Sequence, residues 1–497
     1  MNATALAMII PAPALWLIHV AWRRDITWMR AVTTSAKVAL LSTLVSLWWI
    51  VMLMIQGRYG ADVLAYSESL ESVSFTSTST EVVRGLGYWL FYIRDSFAAT
   101  TTASLDYLAS IKTIAIGVAL LASCLVGIVT TRWAHRRFAA LLIGAGTILA
   151  VGVHPIDDPS PVMSVLLGDG EGGLALALRS STRAVPVLVL GLALGAAMTV
   201  SALRGIRLRV PLTDSRLRAD AVLAVAVAIL AVANLPALRT GGFVDPALER
   251  DADPPASWLD AAAHLDGLPE GYRVLQVPGT EFGAYRWGYT VDQPLPALTE
   301  RPLVTRDLLP LGSAPAMDLV FALDDRFQEG TLDVAGVAPV ARLLGVDTVW
   351  VTGDVAFDRF RLARPEIVDD LLTSPAAIDA GLLPPVRFGR PTTMQADWPT
   401  VDEQSISDDR VGAPIAPVTL VPISDPVPTV RVKTDEIVLS GDGAGIVDAA
   451  GAGVIDGTEL IRYSASLEDG LVDALRSASR LVVTDTNRDR AHHWRSS

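Results

Sequence analysis

The chain has 497 residues, 51% of them hydrophobic, and a mean hydropathy of +0.41, which is high for a wholly soluble protein. Its formal net charge of −13 offers phosphates no basic face, which argues against nucleic acid as a partner. The single cysteine, Cys124, excludes an intrachain disulfide and, even with six histidines, a multi-thiolate metal site.

In chain order, six uncharged apolar runs reach the length of a bilayer core: residues 3–21, 38–55, 113–131, 138–153, 184–203 and 221–238. Lipid gives the backbone no water to bond with, so such runs predict transmembrane helices. The fourth is short, and the first contains Pro11 and Pro13. Arginine and lysine sort the loops between them. One alternate set holds Arg23, Arg24, Arg30 and Lys37, then Arg132, Arg136 and Arg137, then Arg204, Arg207, Arg209, Arg216 and Arg218. The other holds only Arg58, Arg84, Arg94 and Lys112, then Arg179 and Arg183. The positive-inside rule puts the richer set in the cytoplasm, and Met1 and everything after residue 238 outside. The expectation is a multi-pass plasma-membrane protein, solvated by membrane lipid, with an extracytoplasmic C-terminal region. The N-terminus has neither a basic n-region nor a small-residue cleavage site, which speaks against a cleaved signal peptide. A chain that starts outside, directly on an apolar segment, also predicts that the native protein continues upstream of Met1.

The first external loop, residues 56–111, is too long for a plain connection. Residues 61–70 and 81–91 read as amphipathic helices on the membrane surface, with the cluster Gly87-Tyr88-Trp89-Leu90-Phe91-Tyr92 at headgroup level. Two roles are open: an interfacial cap on the bundle, or one wall of a groove for a lipid-linked substrate. The second external loop begins His154-Pro155-Ile156-Asp157-Asp158-Pro159. Carboxylates beside an imidazole suit a hard or borderline cation, so Asp157 and Asp158 are candidate metal or catalytic groups; the competing reading is a solvated, proline-flanked turn. Residues 161–167 and 174–178 are apolar but too short to span, and predict a re-entrant hairpin. It leads to Arg179-Ser180-Ser181-Thr182-Arg183 at the start of the fifth run. Two guanidinium groups, hydroxyls and a helix N-terminus make a phosphate seat; the alternative is arginines that snorkel to lipid headgroups.

After residue 238 no spanning run recurs, and an α/β rhythm takes over. The pattern predicts a helix over 256–265, with Trp258, Ala261, Ala262 and Leu265 on one side, and a strand over 273–277 closed by Pro278-Gly279. Residues 282–289 (FGAYRWGY) read as a second strand whose Tyr285 and Trp287 share a face, either as a buried aromatic pair or as a sugar-stacking platform beside Arg286. A helix over 317–327 presents Asp318, Asp324 and Asp325, with Glu329 just beyond, as a solvated face. A helix-to-strand step over 340–351 turns at Gly345, and residues 364–412, rich in Pro, Asp and Ser, read as loops. The last segment predicts strands at 437–439 and 481–484 and helices at 446–450 and 467–478. Its turn Gly441-Asp442-Gly443-Ala444-Gly445 has Ile446 where a dinucleotide fingerprint needs a third glycine, so it reads as a tight strand-to-helix turn. No Ser–His–Asp arrangement, P-loop or zinc spacing occurs in the sequence. The expected fold class is an α-helical polytopic membrane domain (residues 1–238) followed by an extracytoplasmic α/β region (239–412) and a C-terminal α/β unit (413–497).

The run Tyr272-Arg273-Val274-Leu275-Gln276-Val277-Pro278-Gly279, followed by Phe282-Gly283-Ala284-Tyr285-Arg286-Trp287-Gly288, resembles the large membrane α-(1→3)-arabinofuranosyltransferases of actinobacterial cell-wall synthesis, which are GT-C glycosyltransferases. Arg301-Pro302, Leu323-Asp324, Gln328-Glu329-Gly330, Ala338-Pro339-Val340-Ala341-Arg342, Val483-Thr484-Asp485-Thr486-Asn487-Arg488 and the start, Asn2-Ala3-Thr4-Ala5, resemble family segments too. So does the stretch from Arg179 to Arg183 before Val185-Pro186-Val187-Leu188. The resemblance implies a GT-C-like membrane domain of about six transmembrane helices. It also implies transfer of arabinofuranosyl units from a polyprenyl-phosphate donor to cell-wall arabinan outside the membrane. In the family a catalytic aspartate, often helped by a divalent cation, sits on the first external loop. The matching positions begin inside the family's membrane domain, so that loop and the usual C-terminal carbohydrate-binding modules have no counterpart here. The catalytic residue is therefore unassigned, with Asp157 and Asp158 as candidates. Arg179 and Arg183 are the candidate seat for the lipid phosphate, and Tyr285 and Trp287 the candidate sugar contacts. The alternative is a non-catalytic membrane protein whose external domain binds glycan or a partner subunit.

Overall fold

The computed structural model describes residues 5, 8–60, 69–94, 99–167, 179–209, 216–243, 245, 250–251, 253–308, 312–394, 396, 401, 403–432, 435–467 and 470–487. The chain divides into two compact units, Met1–Pro246 and Ala247–Ser497.

In the first unit, helices lie on all six apolar runs: α1 (Pro11–Trp22), α2 (Trp28–Tyr59), α3 (Ile111–Thr130), α4 (Arg136–Val151), α5 (Val185–Ala202) and α6 (Ala219–Ala233). Among the described residues, three helical stretches are long and apolar enough to cross a membrane: Trp28–Tyr59, Ile111–Thr130 and Ser181–Ala202. With 15 residues, α6 is shorter than its apolar run. At 1.5 Å per residue it covers about 22 Å of a ~30 Å hydrocarbon core. It stops because Leu235 precedes Pro236, whose ring pushes the residue before it out of the helical region, and Leu235 sits at φ −117°, ψ 70°. A separate short helix, Pro236–Thr240, follows. α2 starts on Thr27, whose side chain accepts from Arg30 N at 3.2 Å. Only Ala31 of its 32 residues is buried, so nearly all its apolar surface is left for lipid.

α5 packs against both α3 and α4 through glycines four residues apart. A Cβ on Gly195 would collide with the Cys124 carbonyl of α3. One on Gly191 would meet Ile143 at 2.8 Å and Ala139 O at 2.9 Å on α4. Gly127 of α3 lies as tightly against Gly195 O, and Gly146 of α4 would place a Cβ 2.5 Å from Leu188 N. Where lipid is as apolar as leucine, close backbone approach through small residues is what holds helices together.

One expectation for the loops changes. Residues 81–91 do not form a surface helix: the helix is only Ser79–Val82, and Gly85 (φ 84°) and Gly87 (φ 101°) turn the chain before a short 3₁₀ segment, Trp89–Tyr92. The first half of the re-entrant hairpin is helical, Pro161–Leu167. Its second half, residues 174–178, lies outside the described residues, as do residues 61–68 of the other expected surface helix.

The second unit begins with α7 (Ala256–Asp266), β1 (Arg273–Val277), β2 (Leu303–Val304), α8 (Ala314–Glu329), α9 (Val337–Leu343) and β3 (Val346–Thr352). α10 (Pro365–Thr373), β4 (Val386–Phe388) and β5 (Val418–Pro422) follow. The five strands form one sheet in the order β2-β1-β3-β5-β4. β2, β1 and β3 run parallel, and β5 is antiparallel to both its neighbours. All seven residues of β3 are buried, as a central strand covered on both faces requires. One face packs Leu275, Val349, Val351 and Val421 against α8, α9 and α10; the other packs Trp350, Val418 and Leu420 on Trp258 of α7. The charge of Asp347 on β3 is met by Arg301 Nη2, 2.7 and 2.6 Å from the two carboxylate oxygens. Residues 364–412 are not all loops. Prolines open α10 and the helix Pro375–Asp379, a position where their missing N–H costs nothing, and β4 follows. β5 joins this sheet from beyond the expected 412/413 division.

A second parallel sheet, in the order β7-β6-β8, is built from β6 (Glu436–Ser440), β7 (Leu460–Tyr463) and β8 (Arg480–Val483), with α11 (Gly443–Gly451) and α12 (Leu471–Ser477). The glycine turn is a strand-to-helix turn: Asp442 caps α11, its Oδ1 accepting from Gly445 N at 3.1 Å. Gly443 approaches α8 so closely that a Cβ would sit 2.6 Å from the Asp318 backbone.

Replacing Gly195 by Leu should separate α5 from α3 and lower the stability of the membrane unit by about 1–3 kcal/mol. Gly144, which has open space around its Cβ position, should accept Leu without loss. Thermal midpoints of both variants in lipid nanodiscs check this pair.

Candidate functional site

The residues singled out in the first unit gather at one end of α4. That helix ends at Gly152 (φ 61°), and the chain turns through His154 into Asp157 and Asp158. Both aspartates are exposed, and Asp158 N donates to Pro155 O at 3.1 Å, which makes this a solvated turn. His154 is committed elsewhere, its Nδ1 donating to Ser74 O at 2.9 Å. Among the described residues no three His, Cys, Asp or Glu side chains converge as metal ligands.

Arg179 precedes, and Arg183 lies within, a 3₁₀ turn, Ser181–Ala184, that leads into α5. Both arginines are half-buried, whereas Ser180, Ser181 and Thr182 between them are buried. Ser181 Oγ donates to Ala150 O at 3.3 Å, in the last turn of α4. The hydroxyls of the expected phosphate seat thus point into the fold, and the guanidinium groups beside the helix start are what remains of it. This contact brings the arginine turn to the end of α4 that carries Asp157 and Asp158.

Nearby is a polar cluster that the sequence reading missed. The Arg84 side chain is only 8% exposed; its Nη1 donates to Glu81 Oε1 at 3.3 Å and its Nη2 to Tyr107 O at 3.0 Å. The Tyr92 hydroxyl donates to Glu81 Oε2 at 3.4 Å, and burial together with that carboxylate pushes its phenol well above the ordinary range. The Tyr107 hydroxyl donates to Asn234 O at the end of α6. Ser77 Oγ donates to Val151 O at 2.9 Å, so side chains of the first loop tie it over the ends of α4 and α6. The one sequence signal was a glutamate and an arginine three residues apart.

In the second unit the parallel strands end together. Open α/β sheets bind ligands in the crevice beyond the carboxyl ends of their strands, where the strand order reverses. Here the chain leaves β1 for β2 on one side and returns through α8 and α9 to β3 on the other. Gly279–Glu281, Arg306 and residues 360–362, which follow these three strands, line a crevice of about 360 Å³ together with α8. Beneath it, Asp324 of α8 is buried. Its Oδ1 accepts from Gly279 N at 2.7 Å, and its Oδ2 from Arg306 Nη1 at 3.2 Å and Gln328 Nε2 at 3.3 Å. Burial pushes this carboxyl up, and those three partners pull it back down. Gly279 has no room for a side chain: a Cβ would lie 2.5 Å from Arg306 Cβ and 2.9 Å from Asp324 Oδ1. The solvated face expected of this helix is therefore only Asp318, Asp325 and Glu329. Asp324, four residues after Val320 and three before Phe327, falls on the buried stripe.

Residues 282–289 form a hairpin rather than one strand, with Gly283–Tyr285 antiparallel to Gly288–Val291 and a two-residue turn at Arg286-Trp287, closed by Gly288 (φ 141°). Tyr285 and Trp287 do lie together, stacked at 5.2 Å with planes 6° apart. Trp258 stands edge-on to both, at 4.9 and 5.8 Å. Tyr285 is 4% exposed and its hydroxyl donates to Gln293 Oε1 at 2.7 Å, which corrects the sugar-platform reading of this ring to that of a core residue. Trp287 is half-buried. Beside these rings, buried Asp354 accepts from Trp258 Nε1 at 3.0 Å. Burial pushes its carboxyl up to about 7, against the pull of the Trp258 bond and the Arg286 charge. Arg286 Nη2 donates to Asp358 Oδ1 at 2.7 Å.

Residues 1–496 match the family described as alpha-(1->3)-arabinofuranosyltransferase, N-terminal GT-C domain. An alpha-(1->3)-arabinofuranosyltransferase of Mycolicibacterium smegmatis is 29% identical over 408 residues, which cover 78% of this chain and 27% of the relative. One of Mycobacterium tuberculosis is 29% identical over 417 residues, with the same coverage of 78% and 27%. The chain thus spans about a quarter of the length of these relatives. The cryo-EM structure of the arabinofuranosyltransferase AftD from mycobacteria shares the fold, with a TM-score of 0.56 and 23% identity over 93% of this chain and 31% of that one. Its R1389S mutant, class 2, gives a TM-score of 0.62 at 23% identity, over 98% of this chain and 32% of that one.

Asp354 makes the second unit pH-sensitive. Its carboxyl binds a proton more tightly folded than unfolded, so its contribution is complete below pH about 4 and is lost progressively as the pH rises to about 7. Asp354→Asn keeps the acceptor for Trp258 and removes the buried charge. The variant should gain stability over wild type across this range, to a plateau on the order of 4 kcal/mol above pH 7. Thermal midpoints of both proteins from pH 4 to 9 give the check; parallel curves would refute it.

Proposed function

We propose that this chain, which belongs to the alpha-(1->3)-arabinofuranosyltransferase family through its N-terminal GT-C domain, is part of a membrane glycosyltransferase that moves arabinofuranosyl units from a polyprenyl-phosphate donor to cell-wall arabinan. The observation that carries this reading is the family match over residues 1–496, on a chain whose first unit has helices long and apolar enough to span a membrane. In the proposed reaction an acceptor hydroxyl attacks the anomeric carbon and releases its proton to solvent or to the departing phosphate, the bond to the phosphate oxygen breaks, and polyprenyl phosphate leaves with the electron pair. Negative charge grows on that phosphate, so a fixed cationic seat would lower the barrier more than it tightens ground-state binding. Arg179 and Arg183, beside the start of α5, have the chemistry for such a seat. The distribution of arginine and lysine supports an outer-face location for them and for the second unit, in the plasma membrane. Trp287 is the ring of the aromatic pair that remains within reach of a sugar.

In the complete enzyme, Arg179→Ala with Arg183→Ala should impair use of the polyprenyl-phosphate donor at least tenfold, about 1.4 kcal/mol or more, while the thermal midpoint stays unchanged. Steady-state kinetics with varied donor test this, and unaltered donor kinetics would remove both arginines from the reaction.

A further inference from the structure

The crevice at the carboxyl ends of β1, β2 and β3 is assigned to nothing above, and its lining has a definite chemistry. Phe360 supplies a half-buried ring, backed by Phe282 at 5.5 Å and Tyr289 at 6.2 Å between centroids. Around it stand Glu281, Asp325 and Glu329 against Arg306 and Arg361. Arg306 is already held by Asp325 Oδ1 at 2.6 Å and by Asp324, so no excess of positive charge is left for a phosphate. The apolar part of the lining, Phe360 and Leu362, is too small for a lipid chain. Arg361 has φ 55°, a left-handed backbone rarely adopted outside glycine, and the fold retains it at the edge of the crevice. Planar carboxylates and guanidinium groups bond pairs of neighbouring hydroxyls, and an aromatic ring covers the C–H face of a sugar.

We propose that this crevice is a saccharide-binding site that holds an uncharged stretch of glycan, with Phe360 as its platform and Arg361 as a hydroxyl donor at its edge. That the glycan is arabinofuranosyl, the acceptor chain, rests on the function proposed above. At about 360 Å³ the crevice is within the range of small-ligand sites. It takes a short segment rather than a whole polymer.

The test is saturation-transfer NMR on the full chain in nanodiscs, with an arabinofuranosyl tetrasaccharide and maltotetraose as probes. Expected is transfer to the arabinofuranosyl probe, with affinity at least tenfold weaker in Phe360→Ala and in Arg361→Gly. Glycine adopts φ 55° freely, so the second variant removes the side chain without disturbing the backbone. Unchanged affinity in both variants, or no transfer to either sugar, overturns the site and leaves the transferase reading to stand on donor kinetics. Transfer to maltotetraose alone, with the same losses, upholds the saccharide site and overturns the arabinofuranosyl assignment.

Discussion

A buried carboxylate must find hydrogen-bond donors inside the protein, and in the second unit that constraint organises the edge where ligands bind in α/β folds. Asp324 draws the Gly279 amide from the loop after β1, Arg306 from the loop after β2 and Gln328 from its own helix onto one group. Gln328 extends the tie, donating to Gly279 O at 3.1 Å and accepting from Ala363 N at 2.6 Å beyond β3. Segments following all three parallel strands are thereby held to α8. The floor of the crevice above them is a satisfied polar network.

The membrane unit meets the same requirement differently. Its helices approach through Gly127, Gly146, Gly191 and Gly195, where backbone lies on backbone and dispersion replaces a hydrophobic driving force. Charged and polar side chains sit at the helix ends instead, where Arg84, Glu81, Tyr92 and Tyr107 bond to one another and to Asn234. The arginine turn before α5 lies in the same setting, fastened by Ser181 to the last turn of α4.

Much of the architecture was legible in the sequence for a simple reason: period and apolar length are local properties. Each of the six apolar runs of the first unit carries a helix, β1 occupies the expected 273–277, and the glycine turn before α11 is the tight turn its spacing indicated. The misreadings share one cause. Residues 282–289 alternate as a strand does, but the chain turns at Arg286-Trp287, and one strand becomes two. Residues 364–412 have loop composition, yet their prolines open helices that pack on the sheet. In both cases a local signal had two structural meanings, and packing selected one.

Apolar helices over the first half of the chain, an α/β unit after them and the family of the whole were readable from the residues alone. Uncharged length, alternation and motif identity carry that information residue by residue. Which polar groups are inside depended on packing that no residue-by-residue signal reveals. Asp324 and Asp325 are neighbours of identical chemistry, and one is buried while the other faces water, because a helix turns 100° per residue and only the packed fold says which side is covered. The same holds for Tyr285, whose ring chemistry suits a sugar but whose ring is stacked on Trp287 and packed edge-on by Trp258, and for Arg84, a surface charge by composition and a buried tie by position.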